Sequence, residues 1–270
     1  MGAGALQGQV AVITGAGSGL GAAFARRLAA DGAHVVVNDL DVAAAEQIAH
    51  EIGGTAAPFD VTDSAAFDQA IDRVVSAHGR LDIMINNAGI APPFEREQFE
   101  ATIANEMLRM EGRIDEMQPL RLLSSMTDRE WDRMIRVHLD GTFFGMRAAL
   151  RHMESARSGA IVNISSVLGL RPAAGAPSYS AAKAAIIGLT RATALEVAHL
   201  GIRINAVCPG WVDTPLLADH DASVRALITT RIPLGRMATA DELAELVRFV
   251  VGPEASYSTG DVYPVSGGYA

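Results

Sequence analysis

Cysteine is almost missing from this chain. Cys208 stands alone, which excludes an internal disulfide framework and any metal site built on several thiolates. No lysine- or arginine-rich run occurs, and the formal net charge is −9 with a pI near 5.2. Nucleic acid and acidic membrane surfaces are therefore poor partners. No apolar run is long enough to span a bilayer. The opening "MGAGALQGQVAVITG" has no basic stretch followed by an apolar core, so no secretory signal is expected. Gly2 is present, but Leu6 stands where a myristoylation motif wants Ser or Thr. These absences predict a cytoplasmic protein without membrane attachment. No repeat, linker or low-complexity tract divides the chain, so one domain over 1–270 is expected. Histidines form no convincing ligand pair. The one acidic–histidine cluster, "DHD" at 219–221, reads as a loop rather than a metal site.

What is present is alternation. "VAVIT" (10–14), "HVVVND" (34–39), "AAPFD" (56–60), "LDIMIN" (81–86), "AIVNIS" (160–165), "RINAVC" (203–208) and "DVYPV" (261–265) read as strands. Several are apolar throughout, as strands covered on both faces must be. Alanine-rich helical stretches lie between them. "TDRE" (127–130) and "TADE" (239–242) carry capping boxes with Thr127 and Thr239 as N-caps. "DGA" (31–33) and "HGR" (78–80) put glycine where a helix stops. The pattern predicts an α/β fold, a doubly wound parallel sheet with helices on both faces. Residues 94–125 break the rhythm. There Ile103, Met107, Met110, Ile114 and Met117 are spaced as an apolar stripe on a charged helix bracketed by proline. This insertion is expected to pack on its own domain, cover a site, or meet another subunit.

"TGAGSGLG" (14–21) follows the first strand and opens a helix. Gly15, Gly19 and Gly21 recur, with Gly17 extra and Leu20 in the last place of a strict G-x-G-x-x-G. Glycine lets the backbone approach a pyrophosphate, and the helix N-terminus offers free N–H groups and a positive dipole end. Asp39 lies about twenty residues beyond, where a carboxylate can accept ribose hydroxyls and repel a 2′-phosphate. Leu40 follows it rather than an arginine. The expected cofactor is NAD rather than NADP. "DVTD" can place Asp60 and Val61 at the adenine edge.

Tyr179 and Lys183 stand four apart in "YSAAK", on one face of a helix. Together with "TGAGSGLG", "NNAG" (86–89), "ISS" (164–166) and "CPGWVDT" (208–214), they occur in an order and spacing that resembles the short-chain dehydrogenase/reductases. The resemblance covers the chain except roughly residues 94–125. It implies a Rossmann-type fold, oxidation of a secondary alcohol or reduction of a ketone, and a homotetramer. It gives Tyr179 the role of base, Lys183 that of lowering the phenol's pKa and bonding the nicotinamide ribose, and Ser166 that of holding the substrate oxygen. Free tyrosine, with a pKa near 10, is a poor base at neutral pH. An ammonium at about 4.5 Å, at an effective dielectric near 20, supplies roughly the 3–4 kcal/mol needed to lower it, aided by the positive nicotinamide of NAD⁺. Ser165 is the neighbouring alternative, but strand alternation turns it to the other face.

The resemblance also carries Ser18 into the glycine turn. It brings Asn87, Ala88 and Gly89 to the cofactor, and lays Pro209, Gly210, Val212 and Thr214 along the nicotinamide. One position departs from the pattern. "RVHLDG" has His138 where the family usually has asparagine, thought to support a water linked to the lysine. Histidine could hold that water or only fill space, and its charge state would matter near neutrality. The expected substrate is a bulky apolar alcohol or ketone, such as a hydroxysteroid, aryl or terpene alcohol. A 3-oxoacyl or 3-hydroxyacyl thioester is the enzymatic alternative, and a catalytically silent dinucleotide sensor or scaffold the non-enzymatic one.

Overall fold

The computed structural model describes residues 4–92, 95–217 and 220–269. Seven parallel strands form one sheet in the order β3-β2-β1-β4-β5-β6-β7. They are β1 (Val10–Ile13), β2 (His34–Val37), β3 (Thr55–Ala56), β4 (Ile83–Asn86), β5 (Gly159–Ile164), β6 (Ile202–Pro209) and β7 (Val262–Val265). Every expected strand is present. The third is shorter and earlier than "AAPFD", because Asn38 takes the Ala57 and Phe59 carbonyls with its side chain and leads the chain out of the ladder.

Alternation along each strand divides the core in two. Ala11, Ile13, Val35, Val37, Ile83 and Ile85 face one layer, with α1 (Gly19–Ala30), α2 (Val42–Ile52) and α9 (Ala240–Val251). Val10, Val12, Val36, Met84 and Ile161 face the other, with α3 (Ser64–His78), α6 (Gly141–Ala156) and α7 (Pro177–Val197). The capping boxes at Thr127 and Thr239 are both formed, and Gly79 ends α3 in the left-handed region at φ 75°. α5 (Asp128–Ile135) runs through a wide π-turn at Arg136–Asp140 into α6. Such turns displace side chains from helical register and are frequent at functional sites.

The insertion departs from expectation. Its helix, α4 (Arg96–Met110), ends at Glu111–Gly112, and Gly112 has φ 76°. Ile114 and Met117 therefore do not continue the stripe. Ile103 is buried, whereas Met107, Met110 and Ile114 are exposed. The face that packs inward carries Phe99, Thr102 and Ile103 instead. Asn105 is buried and pins the returning chain, donating to the Gln118 carbonyl and accepting from its N–H.

α4 lies against α8 (Ala222–Thr230). Arg96 pairs with Asp221, the N-cap of α8, and Glu106 pairs with Arg231 at its other end. Phe99 packs on Val224, Ile228 and Ile232 between them. Among the described residues, no helix is long and apolar enough to cross a membrane. Of the "DHD" cluster, Asp219 lies outside the described residues, and the Asp221 side chain caps α8 through Ser223 and Val224.

Candidate active site

A cleft of about 1110 Å³ runs along the C-terminal ends of the strands, where open α/β sheets bind ligands. The residues expected to line it do so, with two exceptions, Gly21 and Ser166.

At one end, the glycine turn joins β1 to α1. Gly15 and Gly19 have φ of 62° and 53°. A side chain on Gly15 would strike Ala88 Cα at 2.8 Å, so the turn is pressed against β4's end. Thr14 Oγ1 accepts from the Asn87 and Ala88 N–H groups. Asn87 spends both amide protons on the Thr14 and Gly15 carbonyls. Its side chain thus holds the turn rather than reaching into the cleft with a donor. Gly21 serves packing, since a Cβ there would fall 2.2 Å from the Gly15 carbonyl oxygen.

Asp39 sits at the mouth of this end. Its Oδ2 accepts from Gly17 N–H at 2.9 Å, and its Oδ1 from Asp41 N–H at 3.1 Å. Gly17 has its explanation here: a Cβ would lie 2.8 Å from Asp39 Oδ2. Leu40 is exposed beside it, and Asp60 and Val61 follow along the wall. Across from the glycine turn, Thr214 packs over Gly19, and Gly210 is pressed on Ser266. Val212 is buried and bridges to Ala238.

Tyr179 and Lys183 line the cleft as well. Pro177 starts α7, and the small residues after it let the helix sit close to β6. Lys183 is buried and donates to the Ile164 carbonyl at 2.8 Å. Its Nζ lies 5.5 Å from the centre of the Tyr179 ring. The two serines separate as alternation demands. Ser165 Oγ donates to the Lys183 carbonyl, whereas the Ser166 hydroxyl bonds the Tyr179 phenol and accepts from Leu168 N–H.

Burial pushes the phenol up to about 12, against the pull of Ser166's hydroxyl. Burial likewise pushes the Lys183 ammonium down to about 7. Removal from water is the largest influence on both groups.

His138 is buried on the π-turn. Its ring meets Tyr179 edge-on, centroids 5.3 Å apart. Nε2 lies 3.0 Å from the Ile90 carbonyl oxygen and 3.2 Å from the Ile90 N–H nitrogen, and either tautomer bonds one of them. Nδ1 has no protein partner among the described residues. Gly89 makes the room, since a Cβ there would come within 2.6 Å of the imidazole. Desolvation and the nearby Lys183 hold the imidazole's pKa well below its ordinary value. It is neutral near pH 7, so the expected sensitivity of its charge near neutrality does not arise. Ile90, its backbone partner, was not among the expected residues; it lies 48 positions away, and no local pattern joins the two.

A glycine-turned parallel sheet whose ligand edge gathers tyrosine, lysine and serine defines an α/β oxidoreductase. The chain belongs to the short-chain dehydrogenase family. The profile described as "short chain dehydrogenase" matches residues 9–111, and that described as "Enoyl-(Acyl carrier protein) reductase" matches 117–270. The two meet inside the insertion. A cis-4-hydroxycyclohexanecarboxylate dehydrogenase from Sinomonas cyclohexanicum is 41% identical over 97% of this chain and 96% of its own. A 2,5-dichloro-2,5-cyclohexadiene-1,4-diol dehydrogenase from Sphingobium indicum is 36% identical, with 98% and 97% covered. The crystal structure of a 3-ketoacyl-(acyl-carrier-protein) reductase from Brucella melitensis, complexed with NADH, superposes with a TM-score of 0.83. It is 33% identical, with 98% of this chain and 99% of that one covered.

Proposed function

We propose that this protein is an NAD-dependent dehydrogenase of a cyclic, largely apolar secondary alcohol, working reversibly as a ketoreductase. The observation that carries the reading is the Tyr179–Lys183 pair lining a cleft, with Ser166 hydrogen-bonded to the phenol, and apolar side chains on the cleft wall, among them Phe99, Ile103, Leu168, Trp211, Leu216 and Leu217. Two relatives named above for the oxidation of hydroxylated six-membered rings support the substrate class.

The glycine turn, Asp39 and the Pro209–Thr214 segment fit a dinucleotide from adenosine to nicotinamide. Asp39 keeps lone pairs for ribose hydroxyls and repels a 2′-phosphate. A nicotinamide bound there would supply the acceptor for the hydride of the carbinol carbon. The protein's own residues manage the proton. Tyr179 Oη accepts it from the hydroxyl, Ser166 holds the oxygen that gains carbonyl character, and Lys183 favours the phenolate. The alcohol thus loses a hydride and a proton and becomes the ketone. Because burial holds the phenol near 12, the lysine needs help from the positive ring of an oxidised cofactor to ionise it. His138 is a positioning residue here: it fixes Ile90 and the edge of the Tyr179 ring.

A panel of cyclic secondary alcohols with NAD⁺, followed by NADH absorbance, tests the reading. Turnover that disappears in Tyr179→Phe supports it, and a folded protein inert toward the whole panel and toward the matching ketones with NADH overturns it. The likeness to a ketoacyl-carrier reductase favours a second reading, a 3-oxoacyl thioester as substrate. Faster NADH oxidation with acetoacetyl-CoA than with any cyclic ketone would select it. A silent sensor is disfavoured because the serine, tyrosine and lysine are all retained.

A further inference from the structure

We propose that the cleft recognises an anionic group on its substrate through Arg129, Arg133 and Arg136. The inference rests on the alcohol dehydrogenase reading and adds a chemical class to it.

The three arginines stand at i, i+4 and i+7 from α5 into the π-turn, so they share one face. That face lines the cleft. Among the described residues, none of the three has a hydrogen-bonded or ion-paired side-chain partner. Other arginines, such as Arg73, Arg109 and Arg171, also lack such a partner, but they do not line the cleft, whereas these three gather on one of its walls. Arg96, Arg113, Arg231, Arg236 and Arg248 are all paired with carboxylates.

The cleft's own acids do not neutralise the row. Glu106 is held by Arg231, and Asp39 by backbone N–H groups. Asp60 accepts from Thr62 N–H. Glu95 and Asp132 line the cleft as well, and Asp132 shares the arginine face, yet neither comes within ion-pairing distance of the three guanidinium groups. Even with Asp132 counted against it, the face keeps a surplus of positive charge.

Its place in the fold suits a substrate. His138 follows two residues after Arg136 and abuts Tyr179. The arginine row thus begins near the proton-transfer site and extends outward by one to two helical turns, roughly 5–11 Å. A hydroxyl on one side of a six-membered ring and a carboxylate on the other fit that interval. Guanidinium groups are suited to such recognition, because they offer paired N–H donors matched to carboxylate or phosphate oxygens. A phosphate on a thioester carrier presents the same chemistry from a longer arm.

The test compares matched pairs in the NAD⁺-loaded enzyme: cis-4-hydroxycyclohexanecarboxylate against its methyl ester, and 3-hydroxybutyryl-CoA against the N-acetylcysteamine thioester. The readout is the ratio of kcat/KM within each pair, which partial misfolding of a variant leaves unchanged. The native protein is expected to favour the anionic member of one pair at least about tenfold. The triple variant Arg129→Gln, Arg133→Gln, Arg136→Gln should bring that ratio to within about twofold of unity. An effect confined to the acid–ester pair identifies a substrate carboxylate, and one confined to the thioesters identifies a carrier phosphate. A native ratio near unity in both pairs, or a ratio that survives the triple change, overturns the proposal. If no alcohol is turned over, calorimetric titration of cyclohexanecarboxylate into the NADH-bound protein decides separately. Binding lost in the triple variant sustains the anion site although the dehydrogenase reading has failed, and no binding to the native protein sinks both.

Discussion

Lys183 is an ammonium in a place that disfavours charge. Its folded pKa of about 7 lies below the ordinary 10.5. Between those values the unfolded chain holds a proton that the folded chain has released, so this group makes stability rise with pH across that window. At pH 8 its burial costs roughly 3 kcal/mol. Lys183→Met is therefore expected to abolish turnover yet melt several degrees higher at pH 8, the gap closing toward pH 10.5; a gap independent of pH would place its origin elsewhere. Tyr179→Phe should lose at least about a hundredfold in kcat, within the usual range for acid–base groups. His138→Asn restores the residue the family usually has, can still hydrogen-bond, and should keep most activity. His138→Leu cannot, and should lose at least about tenfold. A Leu variant of full activity would show that Ile90 needs no anchor. Steady-state rates should favour NAD⁺ over NADP⁺ by about tenfold or more, and Asp39→Ser should erode that preference. That Tyr179 and Lys183 share a helix face was readable in the sequence because helical spacing is local, whereas their proposed role came from the family resemblance. The pKa values were not, because desolvation is set by what other elements place around a group.

The elements that were readable owe it to short-range rules. Apolar runs mark buried strands, and Thr127 and Thr239 announce helix starts by contacts three residues long. The insertion was misread for the complementary reason. Its methionine spacing continues past Gly112, but the backbone does not, and which face turns inward depends on α8, more than a hundred residues on. That packing predicts what the insertion does. Phe99 fills the space between α4 and α8 and also lines the cleft. Phe99→Ala should raise KM for a ring substrate several-fold and lower the melting temperature by a few degrees, with NADH affinity nearly unchanged. Glu106→Gln leaves Arg231 without its carboxylate and should shift KM in the same direction. Deleting 96–118 would bare Val224, Ile228 and Ile232, so loss of stability should accompany any change of substrate preference.

At the scale of the whole molecule, α7 presents Ala181, Gly188 and Ala192 outward, with Leu195 exposed at 85%. Among the described residues, nothing beyond its chain neighbours and its own helix's backbone lies within 4 Å of a Cβ built on Gly188. Light scattering should give a tetramer at micromolar concentration, and Gly188→Glu should shift it toward smaller species. Across all 270 residues, Lys183 is the sole lysine; the other basic side chains of this kind are arginines. The molecule therefore carries one side-chain amine, located at its chemical centre and neutral in part at physiological pH. Reductive methylation with ¹³C-formaldehyde would place its isotopes on that nitrogen and the N-terminus alone. Such a sample would give the enzyme a built-in spectroscopic reporter, whose resonance follows the charge of the active site through a pH titration without any mutation.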